Sequence, residues 1–405
     1  MPDFTNLPYP DVLTILHDLT PEGYSVYLVG GSVRDLLLNE PIHDLDFAVE
    51  GDPFVVGRRL ANKLNAAFFI MDEVHPTCRV LYRLPDQTIL TIDFAALRAG
   101  DLKSDLDGRD FTFNSIAIAL DNPGRLIDPL GGAQDLKDKT LKACCPTAFS
   151  DDPIRVLRAI RQALQFHVRI QSQSLQWIRQ AAPELCRTSP ERQRDELFKM
   201  LTGTKPAAAL RLLNQFGADS VTLPELGPLK TLDSSPPQAL NSWEHTLATL
   251  HWLDAIFEVL VGPYQPSSAA NLNLGLAVLR LGRYRDQLAA HFNAPITVGR
   301  SRRSLLFFAA LYHHVGKPTI ARQQGASIIE HEKVSARLTN ERARQLALSQ
   351  GEIRLLEALI TQQGRIHHMV AAGGLPDCLS TYHYFRDLNA AGIDLCFLSL
   401  ADTLA

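Results

Sequence analysis

Up to about Lys142, short apolar runs of period-two alternation interleave with stretches of helical period. The strand-like runs are Tyr24 to Val29, Leu45 to Val49, Ala67 to Met71, Arg79 to Leu84, Thr88 to Phe94 and Phe113 to Leu120, while Val33 to Leu38 and Phe54 to Leu64 read as helices. After Asp152 the strand signal stops and helical periodicity runs to the end of the chain. That order predicts an α+β fold in which a mixed-sheet domain is followed by an all-helical extension. A chain of 405 residues exceeds one hydrophobic core, and the expected domains are 1–142, 143–225 and 226–405. Pro-rich breaks fall at Leu223 to Pro228, Ser234 to Pro237 and Val261 to Pro266, the first marking the second boundary.

Composition narrows the class. No apolar run is long enough to span a membrane, and no basic, apolar leader precedes the first element, so the chain reads as soluble and unprocessed. Six cysteines without Cys-x-x-Cys pairing suit a reducing cytosol and argue against a zinc site. A net charge of −4 is not that of a general nucleic-acid binder. RNA contact would need a local basic surface, which Asp151 to Met200 supplies with nine Lys/Arg against six Asp/Glu.

The candidate chemistry begins where the run Tyr24 to Val29 meets Gly30-Gly31-Ser32-Val33-Arg34-Asp35. A strand feeding two glycines and a helix start, with Ser32 as the expected cap, aims backbone N–H groups and the helix dipole at an anion such as a triphosphate. Arg34 adds a fork able to grip phosphate oxygens bidentately. Ten residues on, alternation along Asp44-Leu45-Asp46-Phe47 puts Asp44 and Asp46 on one face. Two convergent carboxylates call for a cation between them, and Mg²⁺ is the natural occupant.

Three further groups carry polar signals. Asp93 lies in the apolar run Thr88 to Phe94 and is either a third catalytic acid or one half of a salt bridge. In Arg109-Asp110-Phe111-Thr112-Phe113-Asn114, strand alternation would line up Asp110, Thr112 and Asn114 as a polar row beside a nucleotide. Asp152, Arg155 and Arg158 share one face of a helix expected to open at Pro153. Such an Asp/Arg pair either caps its own helix or accepts C and A while rejecting G and U. C and A both present an amino donor next to a ring-nitrogen acceptor, whereas G and U present a carbonyl next to a ring N–H.

Taken in order, these segments resemble the class II tRNA nucleotidyltransferases, the CCA-adding enzymes and their bacterial poly(A) polymerase relatives of the polymerase β superfamily, over roughly residues 20 to 215. Gly30 to Asp35 with Asp44-Leu45-Asp46 looks like the first family motif and Arg109 to Asn114 like the second. Asp128-Pro129-Leu130-Gly131-Gly132 with Asp135-Leu136 looks like the hinge, Asp151-Asp152-Pro153-Ile154-Arg155 like the protein template, and Ser189-Pro190-Glu191-Arg192 like the final neck motif. The resemblance implies a polymerase β-like head on a helical neck and body, acting in the cytoplasm on tRNA with CTP and ATP. It implies two-metal-ion transfer with Asp44 and Asp46 holding Mg²⁺. Gly30, Gly31, Ser32 and Arg34 would cradle the triphosphate, Arg109, Asp110 and Asn114 would face ribose and phosphates, and Asp152, Arg155 and Arg158 would attend the base.

Three departures bear on the product. Gly108 stands where the family commonly has Arg, and Asp151 replaces the usual Glu. The span from Leu97-Arg98 to Gly108-Arg109 is short where CCA-adding members usually carry a longer loop, and in the family that loss accompanies enzymes adding CC only. The alternatives to full CCA addition are therefore a CC-adding variant and a poly(A) polymerase. The C-terminal part carries a weaker resemblance to HD metal-phosphohydrolases through His245, His313, His314 and His331, with His314 where that family has a metal-binding Asp. Imidazole suits Mg²⁺ poorly, which implies a degenerate, structural HD-like domain.

Overall fold

The computed structural model describes residues 5–203, 205–232, 241–263, 271–321, 328–371 and 374–405. The break at Ser234 to Pro237, and Tyr264 to Pro266 of the last break, lie outside these residues. The chain divides into two compact units, Met1–Arg155 with Phe166–Ile178, and Val156–Gln165 with Arg179–Ala405.

The first unit is built on α1 (Pro10–Leu19), β1 (Ser25–Val29), α2 (Gly31–Leu38), β2 (Asp44–Glu50), α3 (Pro53–Leu64), β3 (Ala67–Asp72), β4 (Thr77–Arg83), β5 (Ile89–Ala96), α4 (Leu102–Asp107), β6 (Ala117–Ala119), β7 (Leu126–Ile127) and α5 (Gly132–Lys137). The strands form one mixed sheet in the order β3-β4-β5-β2-β1-β6-β7. Only β2 and β5 run parallel, Asp44 facing Thr91 and Asp46 facing Asp93. Period-two alternation decides the layering. Leu45, Phe47 and Val49 join Leu28, Val80, Ile92 and Phe94 in a core covered by α1 through Val12, Leu13 and Leu16 and by α3 through Val56, Leu60 and Ala61. Phe47 and Phe94 stack at 5.2 Å, each buried ring contributing about 2–3 kcal/mol. The polar positions between them, Asp44, Asp46 and Asp93, are thereby turned to the other face.

The expected strand Phe113 to Leu120 is only partly a strand. Thr112–Asn114 forms a 3-10 turn and pairing begins at Ala117. Gly132 explains the tight local path, since a Cβ there would stand 2.0 Å from the Thr112 carbonyl oxygen. Asp128 accepts from the amides of Gly132 and Ala133, capping α5.

Among its described residues the second unit is helical apart from the short antiparallel pair Pro295–Thr297 and Arg300–Ser301, a departure from the all-helical expectation. In the first unit, Arg169–Ile170 also pairs with Thr140–Leu141. The helix Arg302–Tyr312 is buried on every side from Ser304 to Tyr312 and stacks Phe308 on Phe198 and Tyr312. Among the described residues no helix is long and apolar enough to cross a membrane.

Candidate active site

The site lies where β1 delivers the chain to α2. Gly30 turns the corner at φ +69°, a conformation side chains rarely adopt, and a Cβ there would meet Arg109 Nη1 at 3.0 Å. A Cβ on Gly31 would lie 3.4 Å from Arg34 Nη2 and 3.8 Å from Asp46 Oδ2. The two glycines thus leave backbone alone between two guanidiniums and a carboxylate. The unpaired first-turn N–H groups of α2 open there.

Ser32 is not the cap expected of it; α2 already starts at Gly31 with no side-chain cap. Its hydroxyl instead donates to the Asp44 carbonyl at 3.1 Å and accepts from the Asp46 amide at 2.9 Å. This buried bridge ties the motif's helix to the strand that carries both carboxylates. Asp44 is exposed and Asp46 half-buried, two residues apart on one face of β2.

Asp93 stands beside Asp46 in parallel register and is clasped by Arg79, whose Nε and Nη2 each donate to it at 2.8 Å. Of the two alternatives for Asp93, the structure shows the salt bridge, with the carboxylate standing beside Asp46. Burial, then the neighbouring Asp93 and Asp44, push the Asp46 carboxyl up to about 6, against the opposing pull of Arg109 and Arg34. Asp44 and Asp46 offer the hard oxygen donors that suit a divalent cation such as Mg²⁺, while both oxygens of Asp93 accept from Arg79.

The arginines are held by the protein itself. The Arg34 fork, expected to clasp phosphate, pairs with Asp35 through Nε and Nη2, while its Nη1 donates to Asn114 and its face lies 4.3 Å over Phe166. At least three of its five N–H donors are used, so it acts at the site as a fixed positive charge. Arg109 is anchored on Asp105 through Nε and Nη2, leaving Nη1 against Gly30.

Asp110, Thr112 and Asn114 do not form the outward polar row expected of a strand. They are buried: Asp110 accepts from the Phe111 amide and from Asn114 Nδ2, and Thr112 donates to Asp135. The 3-10 turn breaks the alternation, and the Asp110–Asn114–Arg34 chain of bonds becomes a brace behind the glycines.

Pro153 likewise precedes rather than opens the helix, which begins at Arg155, whose amide donates to the Asp152 carbonyl. The Arg155 guanidinium donates to the carbonyls of Gly108, Arg109 and Ala148, all within the first unit. Asp152 is half-buried, and Arg158, in the second unit, pairs with Glu196 at 3.6 Å. The sequence reading missed Arg79 and Asp105. Arg79, a lone charge between Cys78 and Val80 on an apolar strand, was a usable signal; Asp105, on a short polar helix, offered none. In the second unit His245, His313 and His314 do converge, with Asp402, which no spacing had linked to them.

Comparison with known proteins bears on this arrangement. A model of the poly A polymerase head domain matches residues 26–142, and one of a probable RNA and SrmB-binding site of polymerase A matches residues 167–229. A CC-adding tRNA nucleotidyltransferase of Geobacter sulfurreducens is 37% identical over 198 residues, covering 49% of this chain and 45% of the relative. An A-adding tRNA nucleotidyltransferase of Deinococcus radiodurans is 31% identical over 342 residues, covering 82% of this chain and 67% of the relative. The chain spans about half the length of several curated relatives that it matches. The fold is shared with a Thermotoga maritima CCA-adding enzyme complexed with tRNA, at TM-score 0.59 and 22% identity over 97% of this chain and 79% of that one.

Proposed function

The chain belongs to the class II family of CCA-adding tRNA nucleotidyltransferases, and from that premise we propose that it extends tRNA 3′ ends with C from CTP, and with A from ATP, without a nucleic-acid template. The observation that carries the reading is the Ser32 bridge, which holds Asp44 and Asp46 side by side at the Gly30–Gly31 turn.

The family uses a divalent metal, and Asp44 and Asp46 are the residues that would hold Mg²⁺ here. When bound, it supplies Lewis acidity toward the attacking hydroxyl and charge neutralisation at the leaving oxygens. The chain's own groups do the rest. First-turn amides of α2 and Arg109 Nη1 receive the triphosphate, with Arg34 as the fixed charge behind them. The tRNA 3′-oxygen bonds to the α-phosphorus as the bond to the bridging oxygen breaks and pyrophosphate leaves. Asp93, oriented by Arg79, accepts the proton of the attacking hydroxyl. Asp110 and Asn114 hold Arg34 in place from behind. Asp152 accepts from the exocyclic amine of cytosine or adenine, and Arg155 fixes the turn that presents it.

One observation favours a second reading, in which the enzyme adds CC only. The span from Arg98 to Gly108 is a 3-10 turn and the short helix α4, latched by Asp105 to Arg109, shorter than the loop expected of CCA-adding members. Extension of two tRNAs at single-nucleotide resolution decides between the readings, one ending at the discriminator base and one in CC, with Mg²⁺, CTP and ATP. Growth by three and by one supports full CCA addition. Arrest of the first after two, with the second unchanged, supports CC addition. Runs of A on unrelated RNA, or no transfer at all, would overturn both.

A further inference from the structure

The second unit holds a cluster far from the carboxylate site in sequence and without a part in nucleotidyl transfer. His245 comes from the helix Ser242–Leu260, His313 and His314 from the end of the helix Arg302–Tyr312, and Asp402 from the last helix, Ala391–Leu404. One ligand atom from each of the four lies within 4.8 Å of all the others.

The hydrogen bonds around the cluster show which atoms face inward. His313 Nδ1 donates to the Ala310 carbonyl at 2.7 Å, which directs its Nε2 at Asp402 Oδ1, 3.1 Å away. His245 Nε2 lies 2.8 Å from that same oxygen. Asp402 Oδ2 is 3.1 Å from His367 Nε2. His314 is only 6% exposed, its ring centroid 3.7 Å from that of His313 and 5.1 Å from that of His245. Its Nδ1 is buried with no hydrogen-bond partner among the described residues.

We infer that His245, His313, His314 and Asp402 form a closed, four-ligand site for a transition-metal ion of the zinc class. Three imidazoles and a carboxylate match the preferences of Zn²⁺ and Co²⁺ and not those of Mg²⁺, which takes oxygen ligands with octahedral geometry. The metal displaces the protons that His245 and His313 now share with Asp402, and it takes the nitrogen that His314 leaves without a partner. The Ala310 carbonyl behind His313 and His367 behind Asp402 are outer partners of the kind that orient metal ligands. Four protein ligands would complete the tetrahedral shell that zinc takes in structural sites, leaving no position for the water a hydrolytic zinc needs. The site is therefore a staple joining the last helix to two others, and the replacement of Asp by His314 changes its metal and closes it.

The test uses the full chain, stripped with chelator, exposed to Zn²⁺ or Co²⁺ and desalted. We expect one zinc per chain by elemental analysis, intense visible bands of tetrahedral Co²⁺, and a melting temperature about 5–10 °C above the stripped protein. His314→Ala and Asp402→Asn should lose the metal and the bands, and Asp46→Ala should keep both. His314→Asp should convert the Co²⁺ spectrum to the pale six-coordinate form. If the alanine variant fails to fold, the near-isosteric His314→Gln replaces it, and the wild-type Co²⁺ spectrum stands by itself. Substoichiometric zinc, or a six-coordinate spectrum in the wild type, would overturn the proposal.

Discussion

Asp46 on β2 and Asp93 on β5 face each other in parallel register, and only Asp93 has an arginine of its own, Arg79 on β4. Two acids abreast with one dedicated cation leave Asp46 as the group that stays hard to ionise.

This asymmetry sets a pH dependence. The Asp46 carboxyl, raised to about 6 by burial and its acidic neighbours, must be ionised to hold a cation, so transfer should rise with pH through an inflection near 6. The stability effect has the opposite sign. A raised carboxyl favours the folded state below its unfolded value near 3.8, and that advantage is lost as pH climbs through about 6. Without Mg²⁺ at neutral pH, Asp46→Asn should therefore be about 1–3 kcal/mol more stable than the wild type while inactive. Urea titrations at pH 4 and pH 7.5 check this; equal stability of the two proteins at pH 7.5 would refute it.

Arg79 should act through Asp93. Arg79→Met leaves Asp93 without its bidentate partner, and kcat should fall about 10–100-fold with the acidic inflection moved upward. A fall in kcat with an unmoved pH profile would mean that Arg79 only packs the sheet.

Ser32→Ala removes both bonds that join α2 to β2, at a cost of about 1–3 kcal/mol in stability. We expect kcat to drop and Ser32→Thr to recover part of it, since the hydroxyl is retained. Steady-state kinetics at saturating CTP separates this from a change in nucleotide affinity.

Gly30→Ala meets both an unfavourable φ and Arg109 Nη1. Strain of about 1–3 kcal/mol and a displaced Arg109 should raise KM for the nucleotide more than they lower kcat.

Arg155→Lys cannot reach the carbonyls of Gly108, Arg109 and Ala148 together, and should lower the melting temperature. Asp152→Ala should leave the melting temperature near the wild type yet relax selection against GTP and UTP. Misincorporation assays on both variants separate the turn's anchor from the base-reading group.

Much of this protein follows from local chemistry. Alternation in Leu45, Phe47 and Val49 sorts core from site face, and the same alternation puts Asp44 and Asp46 together whatever packs around them. Two glycines after an apolar run dictate a tight turn, and the motif order identifies the family. What only the tertiary structure decided is where long-range partners fall. Ser32 bonds across 12 and 14 residues, Arg34 across 80, and His245 meets Asp402 across 157. No local periodicity encodes such pairings. They arise when apolar burial brings distant segments together and polar groups cut off from water take whatever partner then stands within reach. The same pressure turned Asp110 to Asn114 inward as a brace and gave a histidine cluster a carboxylate from the far end of the chain.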